Sequence, residues 1–216
     1  MINDDNTVKN KDVKIPQQML PRGLKGWFIG MVMPLFHRAI YKEVFPFLDL
    51  QSDDRLLEVG CGSGYFLKKY SSKAKSIAGL DLSEVMIGIA RKKNKKRIEE
   101  GTAEFKPGDA AELPWEENTF SIVTSMGSFI GFPEQQKSLI EMHRVLCPKG
   151  RVVISVEYNA EDGADYSEMA KKYGIKILSQ KDVSSMLEKA GFAKISFSYI
   201  KAKRMPGMMI VRAVKL

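Results

Sequence analysis

The sequence predicts an α/β fold of three layers, in which helices cover both faces of a mostly parallel sheet. From Arg55 onward, short apolar runs alternate with helical patterns, and this alternation is typical of βαβ units. The run at residues 151–157 (RVVISVE) is almost uniformly apolar, as expected of a central strand that is covered on both sides. The length of 216 residues, of which 44% are hydrophobic, suits one domain with an appendage.

Five strands are predicted for the parallel part of the sheet, at residues 55–59, 76–81, 103–109, 120–125 and 151–157. Three helices are predicted between these strands, at residues 65–70, 83–99 and 133–146. Ser83 can cap the second helix, and Pro133 suits the first turn of the third. Pro148 and Gly150 are expected to end that third helix.

The last part of the chain predicts a pair of antiparallel strands. A helix at residues 180–190 follows a short polar insertion at residues 159–179. Strands are predicted at residues 193–201 and 208–214, and the turn KRMPG between them indicates antiparallel pairing. The sheet is therefore expected to contain seven strands.

The N-terminal part, residues 1–50, is predicted to form a tail and a helical lid segment, ahead of a main domain at residues 51–216. Pro34 and Pro46 are expected to break its Trp-, Phe- and Met-rich stretch into two or three short helices. Residues 27–36 fit three roles, namely a lid over the site, a membrane-surface helix or a dimer contact. The flanking basic side chains that would suit a membrane surface are Arg22, Lys25 and Arg38.

The composition excludes several classes of protein. Two cysteines and two histidines exclude a disulfide framework, a four-cysteine zinc site and a His-rich metal centre, so no metal site is expected. The longest uncharged apolar stretch, residues 26–36, is too short to span a bilayer. The N-terminus lacks the apolar segment of a secretory signal, and a cytoplasmic location is therefore expected.

The net charge of +8 is compatible with a nucleic-acid partner, with an anionic membrane or with solubility alone. The densest basic run, residues 91–97 (RKKNKKR), is interpreted as the solvent face of a helix. A patch that contacts a polyanion is the alternative interpretation. A nucleic-acid partner is not expected, whereas peripheral membrane contact stays open.

The most informative segment is a glycine-rich turn between a strand and a helix, residues 58–64 (EVGCGSG). Glycines at this place let the backbone turn tightly and let a ligand approach it closely. The spacing is G-x-G-x-G, and Tyr65 stands where the dinucleotide-binding fingerprint requires glycine. No Lys-Ser/Thr pair follows the glycines, which excludes a P-loop.

Three predicted strands carry an acid at their ends, namely Glu58, Asp81 and Asp109. A carboxylate at position 81 can accept both hydroxyls of a ribose, and one at position 109 can meet an adenine amino group. A pyrophosphate would be repelled by three carboxylates, whereas a cationic cofactor with a ribose and an adenine would suit them. S-adenosyl-L-methionine (SAM) has all of these features.

Four sequence pieces follow one another in order, and they are LLEVGCGSG, GLDLSEVMIGIAR, GDAAELPWEENTFSIVTS and LIEMHRVLCPKGRVVI. In this order and spacing they resemble the class I SAM-dependent methyltransferases, over about two thirds of the chain when the C-terminal helix and strand pair are included. The resemblance implies a three-layer Rossmann-like methyltransferase fold with a seven-stranded, mostly parallel sheet, an antiparallel C-terminal strand pair and an N-terminal helical lid. It also implies a methyltransferase that uses SAM and releases S-adenosyl-L-homocysteine (SAH).

The resemblance implies cofactor-binding roles for residues at several strand ends. Those that would hold the methionine moiety are Glu58 and the backbone of Gly60, Cys61 and Gly62. Those near the nucleoside are Asp81 for the ribose, Leu82 and Met86 around the adenine, and Asp109 and Ala110 at the adenine edge. Those that would border the sulfonium and the substrate are Ser125 and Met126, and Gly64 would allow close helix packing.

The sequence departs from the family pattern at three places. Ser121 stands where the family often has Asp, and residues 147–150 (CPKG) stand where it often has Pro-Gly-Gly. Neither place touches the cofactor in the family pattern. Residues 126–132 (MGSFIGF) lack the Arg-Asn pair that is expected of quinone-ring methyltransferases, which weakens the case for a quinone acceptor.

Candidates for catalysis or for contact with the methyl acceptor are His37, Tyr41 and Glu157, with Tyr158 and Asn159 as further candidates at the end of the fifth strand. The Phe, Trp and Met content of the predicted lid favours a small, apolar or aromatic acceptor. Two alternatives stay open, namely methylation of RNA or protein and a non-catalytic SAM-binding partner protein. His143 is expected to have a packing role.

Overall fold

The computed structural model describes residues 23–202 and 205–216, and the predicted tail at residues 1–15 lies outside them. The described strands are β1 (Arg55–Val59), β2 (Ser76–Asp81), β3 (Ala103–Pro107), β4 (Phe120–Ser125), β5 (Leu146–Val156), β6 (Phe192–Ala202) and β7 (Met205–Lys215). They form one seven-stranded sheet in the order β3-β2-β1-β4-β5-β7-β6.

The first five strands of the sheet are parallel, and β7 runs antiparallel to both β5 and β6. The predicted α/β class, the seven strands and the antiparallel C-terminal pair are therefore confirmed. The strand order reverses between β1 and β4. In open α/β sheets, ligands bind at the carboxyl ends of the strands beside such a reversal.

The described helices are α1 (Gly23–Val44), α2 (Tyr65–Tyr70), α3 (Glu84–Lys93), α4 (Lys95–Glu99), α5 (Gln135–Val145), α6 (Ser167–Tyr173) and α7 (Gln180–Lys189). Short 3-10 turns occupy Phe45–Leu48 and Phe129–Gly131. The predicted bounds of β1, α2, β2 and β4 agree with the structure residue for residue.

The core consists of two buried apolar clusters, one on each face of the sheet. Leu56 of β1 belongs to the same cluster as Ile87 of α3. Its neighbour Leu57 belongs to the other cluster, with Leu139 of α5 and Leu187 of α7. Because successive strand residues point to opposite faces, helices cover the sheet on both sides, and the three layers are confirmed.

The N-terminal helix α1 differs from the prediction, because it runs unbroken through Pro34 for 22 residues. A proline inside a helix removes one hydrogen bond and costs about 3 kcal/mol. One turn before Pro34, α1 packs closely on α3, since a Cβ on Gly30 would lie only 2.3 Å from Cε of Met86. Pro46 does end the helix, in the 3-10 turn Phe45–Leu48. No helix in the described ranges has both the length and the apolar character needed to cross a bilayer.

The prediction of one long helix at residues 83–99 is wrong in one respect, because Asn94 divides this segment into α3 and α4. The buried Asn94 side chain donates through Nδ2 to the Ala90 carbonyl (2.9 Å) and to the Gly64 carbonyl (3.3 Å). Asn side chains compete with the helical backbone for such bonds. The start was predicted correctly, since the Ser83 hydroxyl caps α3 by accepting from the Met86 N–H.

Other element boundaries differ from the prediction where contacts between residues distant in the chain decide the local structure. The third helix ends at Val145, beside the predicted end near Leu146, but β5 begins at Leu146 rather than at Arg151, because Leu146 is extended and pairs with Phe120 of β4. Pro148 and Gly150, which were expected to end the helix, therefore lie in β5. Strand β3 ends at Pro107, two residues before the predicted end. The polar insertion also contains helix α6, which the sequence analysis did not predict.

Candidate functional site

A cavity of about 420 Å³ lies at the carboxyl edge of the sheet. Its wall includes the residues that directly follow β1, β2, β3 and β4, and Tyr158, which lies two residues beyond the end of β5. The residues predicted for cofactor binding that line it are Gly60, Cys61, Gly62, Asp81, Leu82, Met86, Asp109, Ala110 and Met126. The structure thus brings most of the predicted residues together, whereas Glu58, Gly64 and Ser125 do not line the cavity.

The glycine turn is a compact loop that hydrogen bonds to the neighbouring strand. The N–H groups of Gly60 and Cys61 both donate to the Leu80 carbonyl, at 2.7 and 2.9 Å. Gly60 has a φ of 77°, which other residues rarely adopt. A Cβ on Gly64 would lie 2.8 Å from the Cβ of Ala90, so the close packing of α3 on the turn requires glycine there.

The carboxylate of Asp81 is fixed by two backbone N–H groups. Its Oδ2 accepts from the Gly62 N–H at 2.8 Å, and its Oδ1 accepts from the Ser83 N–H at 2.9 Å. Burial raises the pKa of Asp81 above its ordinary value, although these two N–H donors act in the opposite direction. Each oxygen accepts one N–H bond and keeps a lone pair for a ligand hydroxyl.

Glu58 is a fully buried carboxyl group at the end of β1, with 1% of its surface exposed. Its Oε2 has no hydrogen-bond partner among the described residues. Burial raises the pKa of Glu58 well above its ordinary value, and the nearby charge of Asp81 raises it further. A buried acid in this state requires either a proton or a cation that enters the site.

Helix α1 places His37 and Tyr41 in the cavity wall. Their rings lie 5.9 Å apart, and Tyr41 also contacts Phe66, at 5.3 Å between ring centroids. Burial raises the pKa of Tyr41 strongly, and the charges of Glu58 and Glu157 add to this effect. The Tyr41 phenol is therefore neutral at physiological pH and can donate a hydrogen bond.

Glu157 lies behind the cavity wall rather than in it. Its Oε1 accepts from the Ser155 hydroxyl at 2.9 Å, and the Gly127 N–H donates to the same hydroxyl at 2.9 Å. A Cβ on Gly127, which does line the cavity, would lie 3.0 Å from this Oε1. Burial raises the pKa of Glu157 to about 7, so its charge changes within the physiological range.

Two other predicted residues lie elsewhere. Asn159 is buried and donates through Nδ2 to the Gly207 carbonyl at 2.8 Å, which fixes the chain after β5. The His143 ring packs edge-on against Phe192, with 5.0 Å between the centroids. Neither side chain lines the cavity.

Part of the cavity wall consists of apolar and aromatic side chains that were not predicted from the sequence to line the site. The insertion contributes Met169, Tyr173 and Ile175, and the segment after β4 contributes Ile130 and Phe132. Tyr158, a predicted candidate, also lines the cavity. The spacing of Met169 and Tyr173, four residues apart, is a helical signal that could have revealed α6 within the polar insertion.

The charges around the cavity fit a cationic cofactor. Among the described residues, Glu58, Asp81, Asp109 and Glu157 form no salt bridge with a basic side chain. Uncompensated carboxylates favour a positively charged ligand. No group of His, Cys, Asp and Glu side chains in the described ranges has the arrangement of a metal site.

Comparisons with known proteins agree with this geometry. Residues 57–154 match the model of the family described as "Methyltransferase domain". The chain is 33% identical over 120 residues to demethylmenaquinone methyltransferase of Oceanobacillus iheyensis, covering 54% of this chain and 50% of the relative. It is 35% identical over 117 residues to phosphatidylethanolamine N-methyltransferase of Cereibacter sphaeroides, covering 54% of this chain and 57% of the relative.

The fold is also found among solved structures. A SAM-dependent methyltransferase from Thermotoga maritima superimposes with a TM-score of 0.66 at 21% identity, covering 86% of this chain and 94% of that one. At this identity the similarity concerns the fold alone. The chain spans about half the length of the curated relatives that it matches.

Proposed function

We propose that the protein is a class I SAM-dependent methyltransferase, whose "Methyltransferase domain" model residues 57–154 match, and that it methylates a small, apolar or aromatic acceptor. The observation that carries the proposal is the cavity itself. Its wall combines the carboxylates of Asp81 and Asp109, of which Asp81 is anchored by two backbone N–H groups, with apolar and aromatic side chains. We take residues 51–216 as the catalytic domain.

The cofactor site follows from the chemistry of the wall. Asp81, whose oxygens keep free lone pairs, would accept the ribose hydroxyls. Leu82 and Met86 would pack around the adenine, and Asp109 with Ala110 would meet its polar edge. The glycine turn and Glu58 would hold the methionine moiety. The cationic charge of this moiety would then compensate the buried Glu58 carboxyl.

When bound, SAM supplies a methyl group that is already activated by its sulfonium. The residues of this chain therefore need mainly to align the acceptor and to exclude water. Tyr41, held by its ring contacts, would orient the acceptor through its hydroxyl. Glu157 has a pKa of about 7 and can hold a proton at neutral pH, but it lies behind Gly127 in the cavity wall, so a proton that has to leave the acceptor would reach it only indirectly.

Two features support an apolar or aromatic acceptor. Ile130, Phe132, Met169 and Tyr173 provide a hydrophobic surface beside the cofactor site. The names of the two curated relatives refer to demethylmenaquinone and to phosphatidylethanolamine, which are an isoprenoid quinone precursor and a phospholipid. RNA or protein methylation is less well supported, because the net charge of +8 is its main argument.

Methyl transfer from labelled SAM into a host-cell extract would test the proposal. The extract is separated into organic, aqueous and macromolecular pools, and we expect label in the organic pool. Label in the macromolecular pool would contradict the acceptor class. Bound SAM without label in any pool would favour a non-catalytic SAM-binding protein. Cell fractionation would test the expected cytoplasmic location.

Asp81→Ala is the matched loss-of-function variant for this assay. We expect it to weaken SAM binding by about 1.5–3 kcal/mol, because charge-assisted hydrogen bonds to the ribose are lost. Isothermal titration calorimetry would measure the loss. Asp53→Ala removes an exposed carboxylate outside the cavity and should leave the affinity unchanged. Equal affinity of the Asp81 variant and the wild type would mean that the cofactor site is wrongly placed.

A further inference from the structure

The cavity has two sides, which the order of the strands defines. The acids proposed to hold the cofactor, Glu58, Asp81 and Asp109, lie at or just beyond the ends of β1, β2 and β3. Strand β4 lies on the other side of β1, and β5 lies next to β4. The wall on this β4–β5 side includes Gly127 and Tyr158, and it is the side that the cofactor leaves to the acceptor.

A buried carboxyl group lies behind the wall on the β4–β5 side. Glu157 directly follows β5 and is 5% exposed. A Cβ on Gly127, which lines the cavity, would lie 3.0 Å from its Oε1, so the charge of Glu157 faces the cavity with no side chain of residue 127 in between. Within residues 23–202 and 205–216, no basic side chain forms a salt bridge with Glu157.

Two tyrosines of the cavity wall lie close enough to Glu157 to respond to its charge. Burial raises the pKa of Tyr158, and the charge of Glu157 raises it further. Burial also raises the pKa of Tyr41, with smaller contributions from Glu58 and Glu157. The Tyr158 ring packs edge-on against Tyr166, with 5.2 Å between the centroids. A ring held in this way offers a fixed aromatic surface, and such surfaces attract cations.

In the part of the chain that the structure describes, the cavity wall contains no Lys or Arg. Lys93 donates to the Ser63 Oγ at 2.9 Å but does not itself line the cavity. Lys172 is exposed and lies 5.2 Å from the centroid of the Tyr173 ring, outside the wall. An acceptor with a phosphate or carboxylate group would therefore lose its hydration without gaining a cationic partner. An acceptor with a positive charge would instead compensate Glu157.

We propose that the acceptor is an apolar or aromatic molecule with a primary or secondary amine, which binds in its ammonium form beside Gly127 and against the Tyr158 ring. Glu157 determines this specificity, because its carboxylate supplies the negative charge that the ammonium group requires. The inference rests on the proposed function and adds the atom that is methylated, namely nitrogen.

The transfer to nitrogen balances in atoms and charge. The bound ammonium group first releases a proton to water and becomes a neutral amine. Its lone pair then forms the N–C bond to the methyl group while the S–C bond breaks, and the electrons of that bond remain on sulfur in SAH. The positive charge thus moves from sulfur to the methylated nitrogen, where the carboxylate of Glu157 stabilises it.

The first test identifies the class of the labelled product. The organic pool of the extract assay is collected at about pH 11, where an amine is neutral, and is then passed over a cation-exchange resin at about pH 4. A methylated amine is retained by the resin, whereas a methyl ether or a C-methylated ring is not. We expect the label to be retained. Label that passes through would overturn the inference and leave the proposed function intact, whereas no label in the organic pool would overturn both.

The second test compares a cation with a neutral molecule of the same shape. Phenyltrimethylammonium resembles a methylated product, and tert-butylbenzene has carbon in place of its nitrogen. Calorimetry with saturating SAH gives both dissociation constants at about pH 8, above the pKa of about 7 of Glu157. Glu157→Gln should bind the cation about tenfold more weakly than the wild type does. Its affinity for tert-butylbenzene should stay that of the wild type.

Three further variants separate charge recognition from general damage to the fold. Glu168→Gln removes an exposed carboxylate of α6 outside the cavity wall and should change neither affinity. Tyr158→Leu should weaken only the binding of the cation, by about threefold, and Tyr158→Phe should restore it because the ring is kept. An equal loss for both ligands in Glu157→Gln, or no loss for either, would overturn the inference while SAH binding and methyl transfer persist.

Discussion

At the residue scale, the carboxyl groups at the ends of neighbouring strands differ in their surroundings. Asp81 is anchored by two backbone N–H donors, whereas Glu58 is fully buried with an unpartnered oxygen. Ser121, which stands where the family often has Asp, donates to Asp54 at 2.6 Å, and Arg151 pairs with the same Asp54 at 2.7 Å. Asp54 therefore supplies a carboxylate beside Ser121.

Lys149 is a second departure from the family pattern, and it carries a prediction about stability. Its φ of 65° is left-handed, a conformation that costs a non-glycine residue about 1–2 kcal/mol. Lys149→Gly should raise the free energy of unfolding by about 0.5–1 kcal/mol, since glycine removes the strain but has more freedom to lose on folding. Urea denaturation would measure the change.

Lys149→Ala is the control for this prediction, because alanine keeps the Cβ that causes the strain. The side chain of Lys149 is exposed, so little packing is lost in either variant. An equal gain in both variants would mean that the loss of the lysine charge, and not the backbone, is responsible.

At the element scale, the cavity depends on two helices outside the parallel strand–helix units. Helix α1 supplies His37 and Tyr41, and α6 supplies Met169 and Tyr173. Most side chains of the apolar segment at residues 27–36 lie outside the described part of the structure, although the Phe28 side chain is 64% exposed. The choice between lid, membrane contact and dimer contact for this segment stays a prediction.

The basic run at residues 91–97 is partly structural. Arg91 donates to the Phe105 carbonyl, and Arg97 donates to the carbonyls of Ser71 and Ala74. Lys95 and Lys96 are exposed and lie within 4 Å of acids one turn away. This arrangement agrees with the interpretation of the run as the solvent face of helical segments.

The lid proposal for α1 leads to a deletion experiment. Removing residues 1–40 takes away His37 and most of the helix that packs on α3, so turnover in the extract assay should be lost. SAH binding should remain measurable by calorimetry, because the glycine turn, Asp81 and Asp109 all lie in residues 51–216.

A shorter deletion of residues 1–22 keeps α1 complete and serves as the control, with turnover expected to persist. Unchanged turnover after removal of residues 1–40 would contradict the lid. Loss of SAH binding in the longer deletion would instead mean that α1 forms part of the cofactor site.

At the scale of the whole molecule, a chain with a net charge of +8 encloses a cavity beside uncompensated acids. The pKa of Glu58, of Asp81 and of Glu157 is raised, mainly by burial. An acid whose pKa is higher in the folded than in the unfolded state binds protons more tightly when folded. Its ionisation therefore makes the protein less stable as the pH rises.

Glu157 allows this effect to be isolated. Its pKa rises from an ordinary 4.5 to about 7, so the free energy of unfolding should fall by roughly 3 kcal/mol as the pH rises through this window. Glu157→Gln should match the wild type in stability near pH 4 and exceed it above pH 7. Thermal or urea denaturation without cofactor, at a series of pH values, would measure the difference. A constant difference across all pH values would contradict the raised pKa.

The sequence by itself determined the fold class and the glycine turn with its acids. It also determined the bounds of three strands and one helix, namely β1, β2, β4 and α2. Local signals were sufficient here, because apolar runs of fixed period bury one or both faces of an element wherever it packs. The acids were also predictable in position, since parallel strands bring their carboxyl ends to one edge.

Only the tertiary structure decided the features that depend on distant contacts. Helix α1 runs through Pro34 and packs closely on α3 at Gly30, and pairing with Phe120 starts β5 at Leu146, ahead of the predicted Arg151. Contacts between separate elements also place α6 at the cavity and bring Lys93 to Ser63. Residues far apart in the chain make these contacts, so no local pattern of spacing or charge encodes them.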